Sequence, residues 1–294
     1  MTLASCDSRK TAGENPFFTE WDTPHGVPPF DKILPEHFMP AFERGMSLHE
    51  AEIDAITSNK DEATFENTIL AYDDAGQMLA QTELVFGMLC AAETNDRMQA
   101  LQEQAMPLLA AHRDKIRLDD KLFVRVKEVY DRRAALGLDA EQMRLLQKTY
   151  DSFVRAGALL DAEQKARLKE INGQLSLTAV KFGNNILAEN NNFVLELKSD
   201  ELDGLPAGIR DAAREKARQM GKGDKWVFTL HKPSLIPLLT YSTKRDLREK
   251  IYKAYLNRCN NGDEYDNKQL INDFIRLRTE KAHLLGYPSY AAYV

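Results

Sequence analysis

Two histidines one helical turn apart, with a glutamate between them, can hold a zinc ion and move a proton from its bound water. That spacing puts both imidazoles on one helix face. The sequence has six histidines, His25, His37, His49, His112, His231 and His283, and no two lie four apart. His49-Glu50 is followed by Ala51, Glu52 and Ile53, so the second ligand is missing. Three cysteines, Cys6, Cys90 and Cys259, are too few and too scattered for a disulfide framework or a cysteine-rich zinc site. Cys90 falls on an apolar helical stripe and reads as a buried, inert thiol. The chain has no Gly-rich phosphate loop, no nucleophile paired with a base and no haem motif. No residue is therefore assigned a catalytic or metal-ligating role.

The remaining candidates are binding groups. His231-Lys232-Pro233-Ser234 is expected to leave a strand into a loop and is the best local candidate for lining a cleft. Tyr241, Tyr252, Tyr255 and Tyr265 offer apolar rings with polar tips, suited to peptide binding or to packing, and packing is the favoured reading. Arg245, Arg248, Lys250 and Lys253 form a basic face that Asp246 and Glu249 are expected to match as on a solvated helix. His49 and His112 lie on apolar stripes and read as satisfied core histidines. His37 reads as part of a helix start, and His25 as a loop residue capping backbone groups.

The elements that must position these groups are mostly helical. Residues 15–35 are rich in proline and aromatics without periodicity, and are expected to lie extended, held by their rings. From residue 36 to 190 apolar residues recur at threes and fours, the spacing of helices packed in bundle fashion. Phe42, Met46, His49, Ile53 and Ile56 form one stripe. Phe65, Ile69, Tyr72, Leu79, Phe86 and Cys90 form a longer one, with Gly76 where a neighbour can approach closely. A third runs through Met98, Leu101, Ala105, Leu108, His112 and Ile116, and a fourth through Leu122, Val126, Val129 and Leu136. Leu-Asp-Ala-Glu-Gln occurs at 138–142 and again at 160–164; Asp139 and Asp161 are expected to cap helices, with Gln142 and Gln164 reaching back. The period then changes to two near 193–198 and 226–231, which predicts two short strands around a basic helix at 206–220. Helical runs close the chain, the last from 266 to 285, with Asp266 and Gln269 as its capping pair and Gly286 ending it. The fold class is mainly α, a multi-helix bundle-like array with two short strands.

With 43% hydrophobic and 29% charged residues, the balance is that of a soluble globular chain. A net charge of −6 and a pI near 5.6 argue against nucleic acid or an anionic membrane surface as partner. No apolar run approaches the roughly 18 residues of a transmembrane helix. Leu3-Ala4-Ser5-Cys6 looks like a bacterial lipoprotein cleavage box, and residues 7–14 would serve as a polar tether after a lipidated Cys6. Only five residues precede the cysteine, so the charged and apolar parts of a signal peptide are absent. Two locations stay open: the bacterial envelope or periplasm as a lipoprotein, or the cytoplasm with a chance tetrapeptide.

Ordered motifs cover nearly the whole chain from Asn15 onward. They are Asn15-Pro16-Phe17-Phe18, Thr23-Pro24-His25-Gly26-Val27-Pro28-Pro29-Phe30, Thr64-Phe65-Glu66-Asn67-Thr68, Ala92-Glu93-Thr94-Asn95-Asp96 and Trp226-Val227-Phe228-Thr229-Leu230-His231-Lys232-Pro233-Ser234. Arg248-Glu249-Lys250, Tyr252, Ala254-Tyr255 and Arg258 follow, then Glu264-Tyr265-Asp266-Asn267-Lys268 and Glu280-Lys281-Ala282 with Leu284-Leu285-Gly286-Tyr287. In this order they resemble the thimet-oligopeptidase-like zinc metallopeptidases, on the side of the bacterial dipeptidyl carboxypeptidases. The resemblance implies a helical, two-lobed enzyme that hydrolyses short peptides in a deep channel, with zinc held by a His-Glu-x-x-His helix. It places that helix beyond the matching segment, so the chain reads as a helical N-terminal lobe, 36–294, lacking the C-terminal catalytic domain. The apolar close Tyr290-Ala291-Ala292-Tyr293-Val294, without a polar taper, leads to the same expectation of a cut within a longer fold. A stand-alone helical peptide-binding module and an oligo-endopeptidase of the same family are the alternatives. On the first reading the polypeptide by itself binds no catalytic zinc and cleaves nothing. Stoichiometric zinc by metal analysis, with dipeptide release from an N-terminally blocked peptide, would overturn that expectation.

Overall fold

The computed structural model describes residues 14–294, which gather into two units. One comprises the described residues through Leu177 together with Thr279–Val294; the other is Thr178–Arg278.

The first unit opens with short 3-10 turns at Pro16–Phe18, Pro24–Gly26 and Pro35–His37, where an extended run was expected. Proline at the first position presets each turn. Phe17 is buried and Trp21 donates its indole N–H to the Pro16 carbonyl at 2.9 Å, whereas Phe30 stays 41% exposed. The ring of Phe17 meets Phe38 of helix α1 (Phe38–Ser58) with centroids 5.4 Å apart. Phe38 and Phe42 in turn meet Phe86 of helix α3 (Gln77–Ala92) at 4.9 and 5.3 Å. Each of these rings buries enough apolar area to contribute about 2–3 kcal/mol.

The long stripe through 65–90 is broken, contrary to the periodicity. Phe65–Leu70 forms a π-helical turn, α2 (Ala71–Asp73) adds three residues, and Gly76 takes φ +79° before α3 starts. A Cβ at Gly76 would stand 2.8 Å from the His49 ring, so the close neighbour expected there is His49 of α1. Arg125 of α5 (Asp120–Asp131) is 9% exposed and ties the preceding loop to the turn. It donates to the carbonyls of Asn59 and Asp61 and to the Asn67 side chain at 3.0–3.2 Å.

Helix α4 (Asp96–Arg117) buries Met98, Ala105, Leu109, His112 and Ile116, while Leu108 is 46% exposed; Leu109, not Leu108, belongs to the stripe. Helix α6 (Ala140–Ala156) has the expected reciprocal cap, with the Gln142 N–H donating to Asp139 at 2.9 Å and the Asp139 N–H to the Gln142 side chain at 3.1 Å. Asp161 and Gln164 repeat it at the start of α7 (Ala162–Asn192), at 2.8 and 3.2 Å. Each cap contributes on the order of 1 kcal/mol. Within this unit the first half of α7 meets the end of α11 (Lys268–Leu284): Arg167 holds Glu280 through two hydrogen bonds of 2.6 and 2.9 Å. Asn172 donates to Asp114 and accepts from Lys281 at 2.7 Å. Gly286 ends α11 at φ +82°, and Ser289 caps the short α12 (Tyr290–Tyr293).

In the second unit, strands β1 (Leu195–Leu197) and β2 (Trp226–Phe228) pair antiparallel, Leu195 opposite Phe228 and Leu197 opposite Trp226. Both are shorter than their alternating runs. Between them lies α8 (Ala207–Gln219), followed by Gly221 at φ +65°. Helices α9 (Lys232–Tyr241) and α10 (Arg245–Leu256) complete a core with Leu195, Leu197, Phe228, Leu235, Leu238 and Ile251. The second half of α7 is held by buried Asn185, whose amide donates to Asn267 at 2.8 Å, and by Glu189, which accepts from the Cys259 N–H and the Asn261 amide. The expected Asp266–Gln269 pair does not form: Asp266 accepts from the Lys268 N–H at 2.9 Å, and Gln269 turns to Asp273. With α11 beginning at Lys268, Asp266 sits one residue too early for Gln269 to reach back.

In the first unit His49 and His112 face each other from α1 and α4. Nδ1 of His49 and Nε2 of His112 are 3.0 Å apart, and Glu50, itself bonded to Lys115, lies 3.5 Å from Nδ1 of His112. Glu52 is taken up by the Gly76 N–H at 2.7 Å. Burial lowers both histidine pKa values, and the facing His112 ring lowers that of His49 further, against the opposing pull of Glu50 and Glu52. The unfolded chain therefore binds these protons more readily than the folded one. The couple's contribution is present above the ordinary histidine value near 6.5 and is lost as pH falls from there through the folded values. The urea midpoint should drop between pH 7.5 and 5, and His112→Gln should flatten that drop; an unchanged slope would refute this account.

Gly204 provides the second check, with φ +82° and a Cβ position occupied by the Tyr241 carbonyl. Gly204→Ala should cost about 2–5 kcal/mol in urea unfolding, combining left-handed strain with overpacking. Gly183→Ala, in open space inside α7, should instead gain roughly 0.5–1 kcal/mol.

Candidate functional site

The second unit carries a cleft of about 390 Å³ where α8, β2 and the start of α9 meet. Helix α8 contributes Ile209, Ala212, Ala213 and Lys216; the small buried residues Ala213 and Ala217 let it lie close to the strand. Val227 and Phe228 of β2 form the apolar wall, and Thr229, His231, Pro233 and Ser234 supply its polar end.

The geometry there is fixed by Thr229, which is 5% exposed. Its N–H donates to Ser234 Oγ at 3.0 Å, and its hydroxyl lies 3.2 Å from His231 Nδ1. The chain does not enter a loop at His231, as the alternation suggested. The strand stops at Phe228, His231 is the N-cap, and α9 begins at Lys232. Pro233 suits the first helical turn because its missing N–H would be unpaired there anyway. His231 and Ser234 do line a cleft, as expected, but both turn to Thr229, so no serine–histidine couple forms. An apolar wall ending in a few placed polar groups suits side-chain binding.

A second recess, of about 330 Å³, is lined by Leu239 of α9 and by Arg245, Arg248, Glu249 and Tyr252 of α10. Arg248 donates to the Ser242 carbonyl at 2.5 Å. Glu249 pairs with Lys253 at 2.5 Å, and that lysine lowers its pKa. The expected matching of the basic face is therefore incomplete. Among the described residues neither Arg245 nor Arg248 is hydrogen-bonded to a carboxylate, though the Arg245 charge also acts on Glu249, and Asp246 pairs with neither. Glu249 lies four residues from both Arg245 and Lys253, and the order with the carboxylate N-terminal to the cation is the more favourable of the two, so Lys253 takes the hydrogen bond. Tyr241 and Tyr252 are 49% and 50% exposed, while Tyr255 packs under the Arg258 guanidinium at 3.8 Å.

The other candidates are structural. His37 Nδ1 accepts the Leu34 N–H at 3.1 Å, completing the start of α1. His25 does not cap backbone groups: it is an exposed residue at φ +60°, and its side chain makes no hydrogen bond among the described residues. Burial pushes the Cys90 thiol up to about 11, in keeping with an inert cysteine. Cys6, the lipidation candidate, lies outside the described residues. Among the described residues no group of three or more His, Cys, Asp or Glu is gathered as a metal ion would require. None of their helices is long and apolar enough to cross a membrane.

Sequence comparison supplies the context for these clefts. Residues 238–294 match the model of Peptidase family M3. The chain is 37% identical over 280 residues to the dipeptidyl carboxypeptidase of Escherichia coli K12, covering 95% of this chain and 41% of that protein. The Salmonella typhimurium LT2 dipeptidyl carboxypeptidase is 35% identical with the same coverage, and E. coli oligopeptidase A is 27% identical over 274 residues. The chain thus spans about 41% of the length of the dipeptidyl carboxypeptidases it matches. Likeness along 95% of its length, together with the matched segment at 238–294, means that the chain belongs to peptidase family M3.

Proposed function

We propose that this chain is the non-catalytic, helical portion of a zinc-dependent peptidyl-dipeptidase, walling the channel through which short peptides reach a metal centre built from residues it does not contain. The observation that carries this reading is the 37% identity to a dipeptidyl carboxypeptidase, sustained over 280 residues. Oligopeptidase A is the weaker likeness at 27%, which favours release of dipeptides over internal cleavage. The His231 cleft adds support from chemistry: an apolar wall with Thr229, Ser234 and His231 at one end fits a peptide side chain and its flanking amide. The role of this portion is to admit and hold extended chains, leaving Lewis-acid and proton-transfer chemistry to the metal centre.

The test is a chimera in which this chain replaces the corresponding segment of the E. coli dipeptidyl carboxypeptidase. It should release C-terminal dipeptides from N-terminally blocked peptides, lose that activity to a chelator and regain it with zinc. A folded, zinc-loaded chimera that released only internal fragments, or nothing while the parent remained active, would refute the proposal.

A further inference from the structure

We infer that the recess at Arg245, Arg248 and Tyr252 is a carboxylate subsite, which holds the negative charge of a peptide while the neighbouring side chain rests on Leu239. The inference rests on the peptide-substrate reading above and extends it to a site that the His231 cleft does not include.

Three observations on α10 point the same way. Arg245, Arg248 and Tyr252 stand at i, i+3 and i+7, so one face of the helix presents two guanidiniums and a phenol around about 330 Å³ of space. The single carboxylate in the lining, Glu249, is hydrogen-bonded to Lys253 and also feels the Arg245 charge; it cannot balance Arg245, Arg248 and Lys253 together, which leaves excess positive charge there in a chain whose net charge is −6. Arg248 is also held in place by the Ser242 carbonyl, so one guanidinium is oriented before anything binds. A planar guanidinium presents paired N–H donors that match a carboxylate, and a second guanidinium with a phenol can satisfy the remaining lone pairs. The floor at Leu239 and the half-exposed ring of Tyr252 favour an apolar side chain beside the charge. A carboxylate of this kind comes either from a peptide C-terminus or from an acidic side chain.

Calorimetric titration of the chain with three peptides distinguishes these sources. The first is an acetylated Ala-Ala-Phe-Leu with a free carboxyl, the second its C-terminal amide, and the third an amidated peptide with an internal glutamate. At low salt the free acid or the glutamate peptide should bind at least tenfold more tightly than the uncharged amide, and the preference should shrink as salt is added. A gain confined to the free acid identifies the C-terminal carboxylate; a gain with the glutamate peptide identifies a side chain. The Arg245→Gln/Arg248→Gln variant should lose the preference while keeping the parent's circular dichroism and melting temperature. The inference is overturned if neither the free acid nor the glutamate peptide outbinds the uncharged amide, or if the folded variant retains the preference. An active chimera combined with no charge preference would sink this subsite and leave the family reading standing. A retained preference in the chain with a dead chimera would do the reverse.

Discussion

The second unit depends on the pairing of two three-residue strands. A two-stranded ribbon of this length has little stability of its own and persists only where its residues are covered. Here Leu195, Leu197, Val227 and Phe228 are all 2% exposed or less. Helix α8 lies in the connection between the strands and packs on β2, which its buried alanines permit. Once the ribbon is in place, Thr229 is forced into the interior with a polar side chain to satisfy. The start of α9 then folds so that Ser234 and His231 meet it. The cleft is thus a consequence of how a buried threonine at a strand end finds hydrogen bonds.

Charge is distributed by the same economy of satisfied groups. In the first unit the polar interior is largely closed: Arg125 spends its two terminal nitrogens on carbonyls and an amide, with its Nε left unpaired, and His49 and His112 answer each other. On α10 it is not, because one carboxylate cannot serve both Lys253 and the arginines a turn away. Guanidiniums that keep contact with solvent cost a folded protein almost nothing in stability when no carboxylate is hydrogen-bonded to them. They therefore remain available for a ligand, where buried ones would have demanded a partner during folding.

Much of this architecture follows from local chemistry and was legible in the sequence. The helix caps at Asp139 and Asp161, the left-handed glycine after α11 and the two short strands flanking a basic helix involve contacts within a few residues, set by residue type and spacing. The errors share one physical origin. The stripe through Phe65 and Phe86 is continuous as a period, yet the π-turn and Gly76 break it because Arg125, 58 residues beyond Asn67, claims the groups around it. Leu108 and Leu109 both fit a helical face, and only the neighbouring core selects Leu109. His231 looked like a strand end, whereas the strand stops at Phe228 and the backbone turns into α9 at Lys232.

What the sequence by itself determined is the fold class and the family, since periodicity, capping chemistry and ordered motifs all act along the chain. What only the tertiary structure decided is which side chains meet. His49 with His112, Arg125 with the 59–67 segment, and the arginines of α10 with Leu239 of α9 are encounters between separate elements. Their distances depend on how buried faces pack, and no local spacing encodes that.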